Sequence, residues 1–213
     1  MKKVFIIGSG GFSKQVIEIV EKLNKNENKY QLMGLIDDNE SLVGSNVMGY
    51  EILGNTDYLR EYSEQNQVFG VIAIANWKVR KLLETKLTAV KWLNLVHPSA
   101  VVSDYIQMGE GNVICAGVVI NPDCRIGSHC HINIGTTMGH DINMRNFVTV
   151  MPGSRISGNV TLMDCSMIGT GSTILQGLTI EENVIVGAGA VVTKNTSPNG
   201  LYLGVPANKK RYK

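Results

Sequence analysis

The chain has 213 residues, 23 of them glycine, and a net charge of +2. This length accommodates one large domain or two small ones, and so much glycine argues against a helical protein. With so small a net charge, a nucleic-acid or membrane partner would require a local cluster of basic residues. The sequence offers such a cluster at the chain's end: Lys209, Lys210, Arg211 and Lys213. We interpret that cluster as a solvated, frayed tail and so expect no such partner, with contact to the phosphate of a ligand as the alternative.

The first residues, MKKVFII, resemble a signal peptide, but the apolar run over residues 4–7 is short and glycines follow at once. No stretch approaches the length of a transmembrane span. The four cysteines form no C-x-x-C pair, which argues against a zinc knuckle or a disulfide framework: Cys115, Cys124, Cys130 and Cys165. We therefore expect a cytoplasmic protein with reduced thiols.

Strand and helix patterns alternate over residues 1–95. Apolar runs at residues 4–7, 32–36 and 68–74 predict strands, and the first ends in Gly8-Ser9-Gly10-Gly11. Helical spacing follows the first run, from Val16 to Leu23, and the third, from Val79 to Leu87. This alternation predicts a parallel sheet built from βαβ units. It is too short for a full doubly wound dinucleotide domain, so we predict a truncated, Rossmann-like α/β domain.

A six-residue period replaces this pattern in the second domain, residues 96–213. Aliphatic or Met side chains recur at every sixth position without an insertion: Val102, Met108, Ile114, Ile120, Ile126, Ile132, Met138, Met144, Val150, Ile156, Leu162, Ile168, Ile174, Ile180, Val186 and Val192. Small or aliphatic residues often stand two positions earlier, including Val118, Cys124, Cys130, Val148, Val160 and Ala190. A hexad repeat is typical of a β-helix, in which each hexad is one short strand and one turn.

Three hexads close one triangular coil, so residues 18 apart are neighbours at the strand spacing of about 4.8 Å. The recurring aliphatic side chains then point inward, and the core cysteines become packing residues. Glycine often follows the inward position, at Gly109, Gly127, Gly139, Gly169 and Gly187. We attribute those glycines to the positive φ that tight turns need.

Four histidines are the first candidates for chemistry. His97 precedes a proline at the domain junction, where we expect it to cap or pack. His129 and His131 alternate around the inward Cys130, so we place both on an outward strand face as surface residues. Zinc binding together with His140 is the alternative; carbonic anhydrases built on β-helices space two of their histidines differently, so we predict no metal.

His140 differs from the others because it lies at a hexad corner, within Gly139-His140-Asp141. A neighbouring carboxylate fixes the tautomer of an imidazole and raises its basicity. One coil further on is Gly158, whose backbone N–H a ligand could approach closely. These residues predict a base beside an oxyanion donor; a surface histidine with a satisfied ring is the alternative.

The whole chain resembles one family of hexapeptide-repeat acyltransferases. The resemblance is carried by INIGTTMGHDINMRNFVTVMPGSRISGNV, MIGTGSTILQGLTI, VIVGAGAVVTK and LGVPANK, and in the front half by VFIIGSGGFSKQVIEI, LMGLIDDN, VIAIAN and LVHPSAVVS. These segments are similar to the sialic acid O-acetyltransferase family, which includes N-acetyltransferases of nucleotide-linked 4-amino-sugars. The resemblance implies a left-handed parallel β-helix, although the handedness rule for parallel crossovers favours the opposite hand. It also implies a homotrimer with active sites between neighbouring β-helices.

The resemblance assigns roles by position. His140 is implied to be the general base and Asp141 its partner, while the Gly158 amide faces the thioester oxygen. The acetyl-CoA cleft is implied to contain Thr149, Thr170 and Ala188, with Thr149 in place of the second histidine of some relatives. The nucleotide-sugar site is implied to contain Gly10, Gly11, Phe12, Asp37, Asp38, Ala75 and Asn76.

Two of those assignments have competing interpretations. The glycine turn departs from G-x-G-x-x-G, because Ser13 occupies the last glycine position. A tight strand-to-helix turn explains it without a ligand, although phosphates also suit a helix N-terminus. Phe12 replaces a histidine that several relatives have near the sugar, which leaves the sugar itself undetermined.

The sequence thus predicts an enzyme that transfers acetyl from acetyl-CoA directly to the amine of a nucleotide-linked 4-amino-sugar, for bacterial surface glycan or glycoprotein synthesis. O-acetylation of sialic acid or a related sugar is the first alternative. A non-catalytic β-helical binding or assembly module, in which His140 is idle, is the second.

Overall fold

The computed structural model describes residues 1–26 and 28–210. The chain divides into two compact units, Met1–Pro98 and a second that begins at Ser99. Within the described ranges, no helix combines the length and the apolar character that crossing a membrane requires.

A six-stranded sheet with three helices forms the first unit. The sheet order is β3-β4-β2-β1-β5-β6, parallel except for the edge strand β3. The strands are β1 (Lys2–Ile7), β2 (Tyr30–Ile36), β3 (Asn46–Val47), β4 (Tyr50–Gly54), β5 (Phe69–Ile72) and β6 (Lys91–Trp92), followed by β7 (Leu95–Val96). The helices are α1 (Gly11–Asn26), α2 (Thr56–Gln65) and α3 (Trp77–Lys86), and a short 3-10 turn covers Glu40–Leu42.

The order of the strands fixes where a ligand can bind. β1 is central, with β2 on one side and β5 on the other. The direction of chain winding therefore reverses at the carboxyl ends of β1 and β5, which opens a crevice there in doubly wound sheets. This confirms the predicted Rossmann-like architecture. Sequence patterning did not predict β4 and α2, because residues 39–67 are mostly polar.

The second unit is a parallel β-helix of two-residue strands, closed by two three-residue strands at its carboxyl end. From Val101 to Ile174 each strand pairs in parallel with the strand 18 residues later, so that His131 pairs with Thr149, and Thr149 with Met167. A first sheet contains β8 (Val101–Val102), β11 (Val119–Ile120), β14 (Thr137–Met138), β17 (Arg155–Ile156), β20 (Thr173–Ile174) and β23 (Val191–Val192). A second contains β9 (Gln107–Met108), β12 (Arg125–Ile126), β15 (Asn143–Met144), β18 (Thr161–Leu162) and β21 (Thr179–Ile180). A third contains β10 (Val113–Ile114), β13 (His131–Ile132), β16 (Thr149–Val150), β19 (Met167–Ile168), β22 (Ile185–Val186), β24 (Leu201–Leu203) and β25 (Asn208–Lys210).

Burial confirms the predicted inward positions. From Ile114 to Val192 every residue of the six-residue series is buried, whereas Val102 and Met108 in the first coil are half-buried. All four cysteines are buried free thiols. Burial raises the pKa of the Cys115 thiol to about 12, as expected for a packing residue that does not ionise.

The predicted reason for the glycines was wrong. None of the five glycines that follow an inward residue has a positive φ. The left-handed residue instead stands three positions before the inward one, in every hexad from Gly111 to Gly189, with φ between 55° and 74°. At Gly139 the constraint is space, since a Cβ there would lie 2.5 Å from the Gly158 nitrogen on the next coil.

The basic cluster at the chain's end is not simply a frayed tail. Lys209 and Lys210 lie on β25, which pairs antiparallel with β24. The Lys209 ammonium donates to Ser197 Oγ and to the Pro198 carbonyl, both at 3.3 Å. Arg211 and Lys213 lie outside the described residues.

Candidate active site and nucleotide site

His140 and Asp141 form a hydrogen-bonded pair at the corner between β14 and β15. The distance from His140 Nδ1 to Asp141 Oδ2 is 2.6 Å, and the two side chains are 60% and 57% exposed. Asp141 occupies the left-handed position of its hexad, with φ 57°, a conformation that Asp tolerates better than most residues. An ionised carboxylate only accepts hydrogen bonds, so Nδ1 is the donor, and in the neutral imidazole Nε2 then keeps its lone pair. The pair therefore has the form of an oriented general base.

Gly158 lies directly against the imidazole, at the same corner one coil on. A Cβ at Gly158 would come within 2.8 Å of both His140 Cε1 and Nε2. The main chain is held in register, because the Asn159 N–H donates to the His140 carbonyl at 2.8 Å. Only glycine lets the ring and the backbone of the next coil meet here.

The N–H two positions after each inward residue is not used by the β-helix ladder. Pro122 occupies this position one coil before His140 and has no N–H to donate. At the corner between the second and third sheets, side chains from the next coil satisfy the same group. The Ser128 N–H donates to Asn146 Oδ1 at 2.9 Å, and the Asn146 N–H donates to Asp164 Oδ1 at 2.8 Å.

Gly158, Thr170 and Ala188 all occupy this register position. Within residues 1–26 and 28–210, none of their N–H groups has an acceptor at hydrogen-bonding distance. Thr170 and Ala188 stack on each other at the corner between the third and first sheets, and both are exposed. The structure therefore does not bring them together with His140 and Gly158, which share the corner between the first and second sheets.

Thr149 is buried in the described chain, and its assignment to the acetyl-CoA cleft stays a prediction. It lies on β16, between His131 and Met167, and is only 3% exposed. Thr149 is thus buried like the other outward positions in the early coils of this sheet, Val113 and His131.

The predicted surface histidines are buried. His129 is 2% and His131 1% exposed. His129 is the left-handed residue of its hexad, with φ 55°, and its ring stacks on Phe147 at a centroid distance of 5.4 Å. No group of three potential metal ligands occurs in the described part of the chain. His97 is 6% exposed, and burial, aided by Lys22, lowers its pKa against the opposing effect of Glu18.

The glycine turn of the first unit has a packed side and an open side. Gly8 is buried with φ 101°, and a Cβ there would lie 2.5 Å from Ile74 Cγ1. Gly10 and Gly11 are exposed, and nothing lies within 4 Å of an added Cβ at either position. Helix α1 begins at Gly11, so the open side coincides with the free N–H groups of a helix N-terminus.

Asp37 supports this turn. Its Oδ2 accepts the Ser9 N–H at 2.9 Å and the Ser9 hydroxyl, and its Oδ1 accepts the Asn39 N–H at 3.0 Å. Partial burial alone would raise the pKa of Asp37, but the hydrogen bonds from Ser9 and Asn39 outweigh burial, and the pKa lies below its usual value. Asp38 is exposed, with its Oδ1 accepting the Thr56 N–H at 2.8 Å.

A groove of about 280 Å³ contains five of the seven predicted nucleotide residues. Its lining is Gly8, Ser9, Gly10, Gly11, Phe12, Asp37, Ala73, Ile74 and Ala75. Beside it lies a cavity of about 140 Å³, whose lining includes Asp37, Asp38, Thr56 and Leu83. Asn76 follows Ala75 and caps α3, its side chain accepting the Lys78 N–H at 3.0 Å. Sequence analysis missed Ser9 and Thr56.

Arg80 was also missed. It lies in α3, is fully buried, and its Nη1 donates to the carbonyls of Ile74 at 3.0 Å and Ala75 at 2.7 Å. An arginine on a helix that also carries lysines is expected to face solvent, so the sequence did not indicate that Arg80 is buried.

The similarity of this chain to known proteins covers both units. Residues 3–87 match the family model described as the PglD N-terminal domain. GDP-perosamine N-acetyltransferase of Escherichia coli O157:H7 is 32% identical over 157 residues, covering 72% of this chain and 69% of that protein.

Solved structures extend the similarity to the full length. A mutant of perosamine N-acetyltransferase from Caulobacter crescentus, in complex with CoA and GDP-perosamine, is 31% identical, with a TM-score of 0.91 and coverage of 100% of this chain and 98% of that one. The acetyltransferase domain of PglB from Neisseria gonorrhoeae is 29% identical, with a TM-score of 0.89 over 99% of this chain and 100% of that one. The chain therefore belongs to the family of nucleotide 4-amino-sugar N-acetyltransferases.

Proposed function

We propose that the chain transfers the acetyl group of acetyl-CoA to the 4-amino group of a nucleotide-linked sugar, with His140 as general base. The observation that carries this proposal is the His140–Asp141 pair seated on Gly158. It combines an oriented base with a backbone N–H, that of Gly158, for which the described residues provide no hydrogen-bond acceptor. The Caulobacter crescentus structure, with CoA and GDP-perosamine bound, supports the two substrates.

The proposed reaction is a direct transfer. The sugar nitrogen attacks the thioester carbonyl carbon while His140 Nε2 takes a proton from that nitrogen. The carbonyl oxygen becomes an oxyanion, which accepts a hydrogen bond from the Gly158 N–H. The intermediate then collapses with cleavage of the carbon–sulfur bond, and the departing CoA thiolate takes the proton back from the imidazolium. Asp141 holds the imidazole orientation throughout and stabilises the imidazolium charge.

In this proposal the first unit holds the acceptor. The diphosphate lies against the exposed backbone of Gly10 and Gly11 at the start of α1, where N–H groups and the helix dipole favour negative charge. Asp38 is exposed and faces the cavity beside the groove, so its carboxylate accepts from the nucleoside. Phe12 lines the groove and contacts the sugar, while Asp37 contributes by holding Ser9.

We further propose a homotrimer with active sites between subunits. His140 and Gly158 lie at one corner of the β-helix, whereas the free N–H groups of Thr170 and Ala188 lie at another. One extended CoA molecule contacts both groups if the corners come from neighbouring subunits. Acetyl-CoA is a cytoplasmic metabolite, so we place the reaction in the cytoplasm.

Release of CoA against a panel of substrates tests the reaction. The panel contains GDP- and UDP-linked 4-amino-sugars, their 4-hydroxy counterparts, and free and CMP-linked sialic acid. Turnover with a 4-amino-sugar nucleotide and none with its 4-hydroxy counterpart is expected. Turnover with sialic acid alone would replace the proposal with O-acetylation, and no turnover with any acceptor would favour a binding module.

Subunit complementation tests the interfacial site. His140→Ala removes the base at one corner, and Ala188→Trp blocks the other. Each homo-oligomer should be nearly inactive, whereas co-expressed subunits should regain activity, because some interfaces then combine an intact His140 with an intact Ala188. Mixed subunits that stay inactive while assembling normally would place both corners in a site within one chain.

A further inference from the structure

Arg80 ties two consecutive carbonyls at the carboxyl end of β5. The guanidinium is fully buried, and its Nη1 donates to the oxygens of Ile74 at 3.0 Å and Ala75 at 2.7 Å. Burying a charge is costly unless it is well hydrogen-bonded. The two Nη1 bonds fix the turn between β5 and α3, which borders the groove of the glycine turn.

These bonds determine where the neighbouring N–H groups point. In a planar trans peptide the C=O and the following N–H lie on opposite sides of the chain. Since the carbonyls of Ile74 and Ala75 point at the buried guanidinium, the N–H groups of Ala75 and Asn76 point away from it. Both residues are exposed, and no acceptor among the described residues lies within hydrogen-bonding distance of either N–H.

We propose that Arg80 is a positioning residue that builds the second wall of the diphosphate site. Gly10 and Gly11 at the start of α1 form one wall of the groove, and the N–H groups of Ala75 and Asn76 form the other. Successive backbone N–H groups make concave sites for anions such as phosphate. This inference rests on the proposed function, in that it assumes a nucleoside diphosphate as the recognised part of the acceptor.

Calorimetry with nucleoside diphosphates tests the role of Arg80 in the full-length protein. GDP and UDP are the probes, with guanosine and uridine as phosphate-free controls. Arg80→Met should raise the Kd of the bound diphosphate by about tenfold to a hundredfold, the range for hydrogen bonds to charged groups, and leave nucleoside affinity nearly unchanged. Arg80→Lys should recover part of the loss, because an ammonium also donates to both carbonyls. Acetyl-CoA affinity should not change.

Loss of stability is controlled with Val68→Ala. Val68 is fully buried just before β5, at the end of the strand away from the groove. This variant should lower the Tm without weakening diphosphate binding. Equal losses for diphosphate and nucleoside in Arg80→Met would make Arg80 a purely structural residue. Unchanged diphosphate binding would overturn the inference alone, whereas failure of the wild-type protein to bind either diphosphate would overturn the nucleotide site as well.

A second pair of variants tests the N–H directly and leaves Arg80 in place. Asn76 has φ −70°, which proline adopts without strain. Asn76→Pro removes the N–H together with the capping side chain, whereas Asn76→Ala removes only the cap. Asn76→Pro should bind the diphosphate about tenfold more weakly than Asn76→Ala. Equal affinities would show that this N–H does not face the phosphates.

Discussion

The imidazole of His140 lies against the backbone of Gly158, so closely that a single added methyl group at Gly158 would come within 2.8 Å of Cε1 and Nε2. Gly158 has no positive φ, so alanine is tolerated by its backbone and only the ring must move. Gly158→Ala should therefore fold normally and lower kcat by about 10²-fold, the cost of misplacing a catalytic group. Thr179→Ala, on β21 of the same β-helix, is the control and should keep its activity. A Gly158→Ala variant with wild-type kcat would show that the observed contact is not part of the catalytic arrangement.

Removing the proposed base, His140, should lower the turnover rate more than removing its partner, Asp141. His140→Ala should lower kcat by about 10²–10⁴-fold, the usual contribution of general-base catalysis. Asp141→Asn should cost less, because the imidazole remains and loses only the carboxylate that fixes its tautomer. Acetyl-CoA affinity should survive both changes, since the proposed donors to CoA are backbone groups. Steady-state kinetics with a 4-amino-sugar nucleotide measure the effect, and near-normal turnover in His140→Ala would exclude it as the base.

The six-residue period was sufficient to predict the β-helix because each inward residue contacts its equivalent one coil away. Val150, Ile168 and Val186 show this directly, as consecutive partners on one sheet. The same arithmetic placed His140 beside Gly158. It could not predict the burial of His129, His131 and Thr149, because an outward position in a repeat is exposed only if nothing else packs on it.

The proposed nucleotide site was predictable only in outline. Glycines after a strand indicated the turn, but the bonds that hold it come from residues far apart in sequence, such as Ser9 with Asp37 and Asp38 with Thr56. Arg80 acts through carbonyl oxygens, which every residue has, so no pattern of side chains revealed it. The requirement for glycine at position 139 likewise follows from the distance between coils, which the sequence does not give.

A charge inside the β-helix should unfold the second unit. Ile168 is fully buried, whereas Ile185, on the next strand of the same sheet, is 36% exposed. Ile168→Asp places an unpaired carboxylate in the core, at a cost of several kcal/mol, and should yield insoluble or unfolded protein. Ile185→Asp should remain folded with a small loss of Tm. Soluble Ile168→Asp with a wild-type circular dichroism spectrum would contradict the inward assignment.

The cysteine thiols should not react with a thiol reagent in the folded protein. All four cysteines are buried, and burial raises the pKa of Cys115 to about 12 and that of Cys124 above its usual value. The thiolate is the reactive form, so neither burial nor ionisation permits attack at neutral pH. Ellman's reagent should label none of the cysteines in the native state and all of them in guanidinium chloride. Rapid labelling of a native thiol would show that its coil opens locally.

Asp37 should make the stability of the first unit depend on pH. Its folded pKa lies below 3.8 because Ser9 and Asn39 donate to the carboxylate, despite partial burial. A depressed carboxyl pKa stabilises the fold fully above the unfolded value, and the contribution is lost as pH falls through the folded value. The free energy of unfolding of the wild-type protein should thus decrease once the pH drops below about 3.8. Asp37→Asn should be less stable than wild type at neutral pH, but should lose less further stability on acidification. Denaturant titrations of both proteins between pH 7 and pH 3 measure this.

Asp37→Asn should also raise the KM for the nucleotide-sugar without changing that for acetyl-CoA, because the Ser9 bonds that position the glycine turn are weakened. Parallel losses for both substrates would instead mean that Asp37 supports the fold as a whole and has no particular effect on the turn.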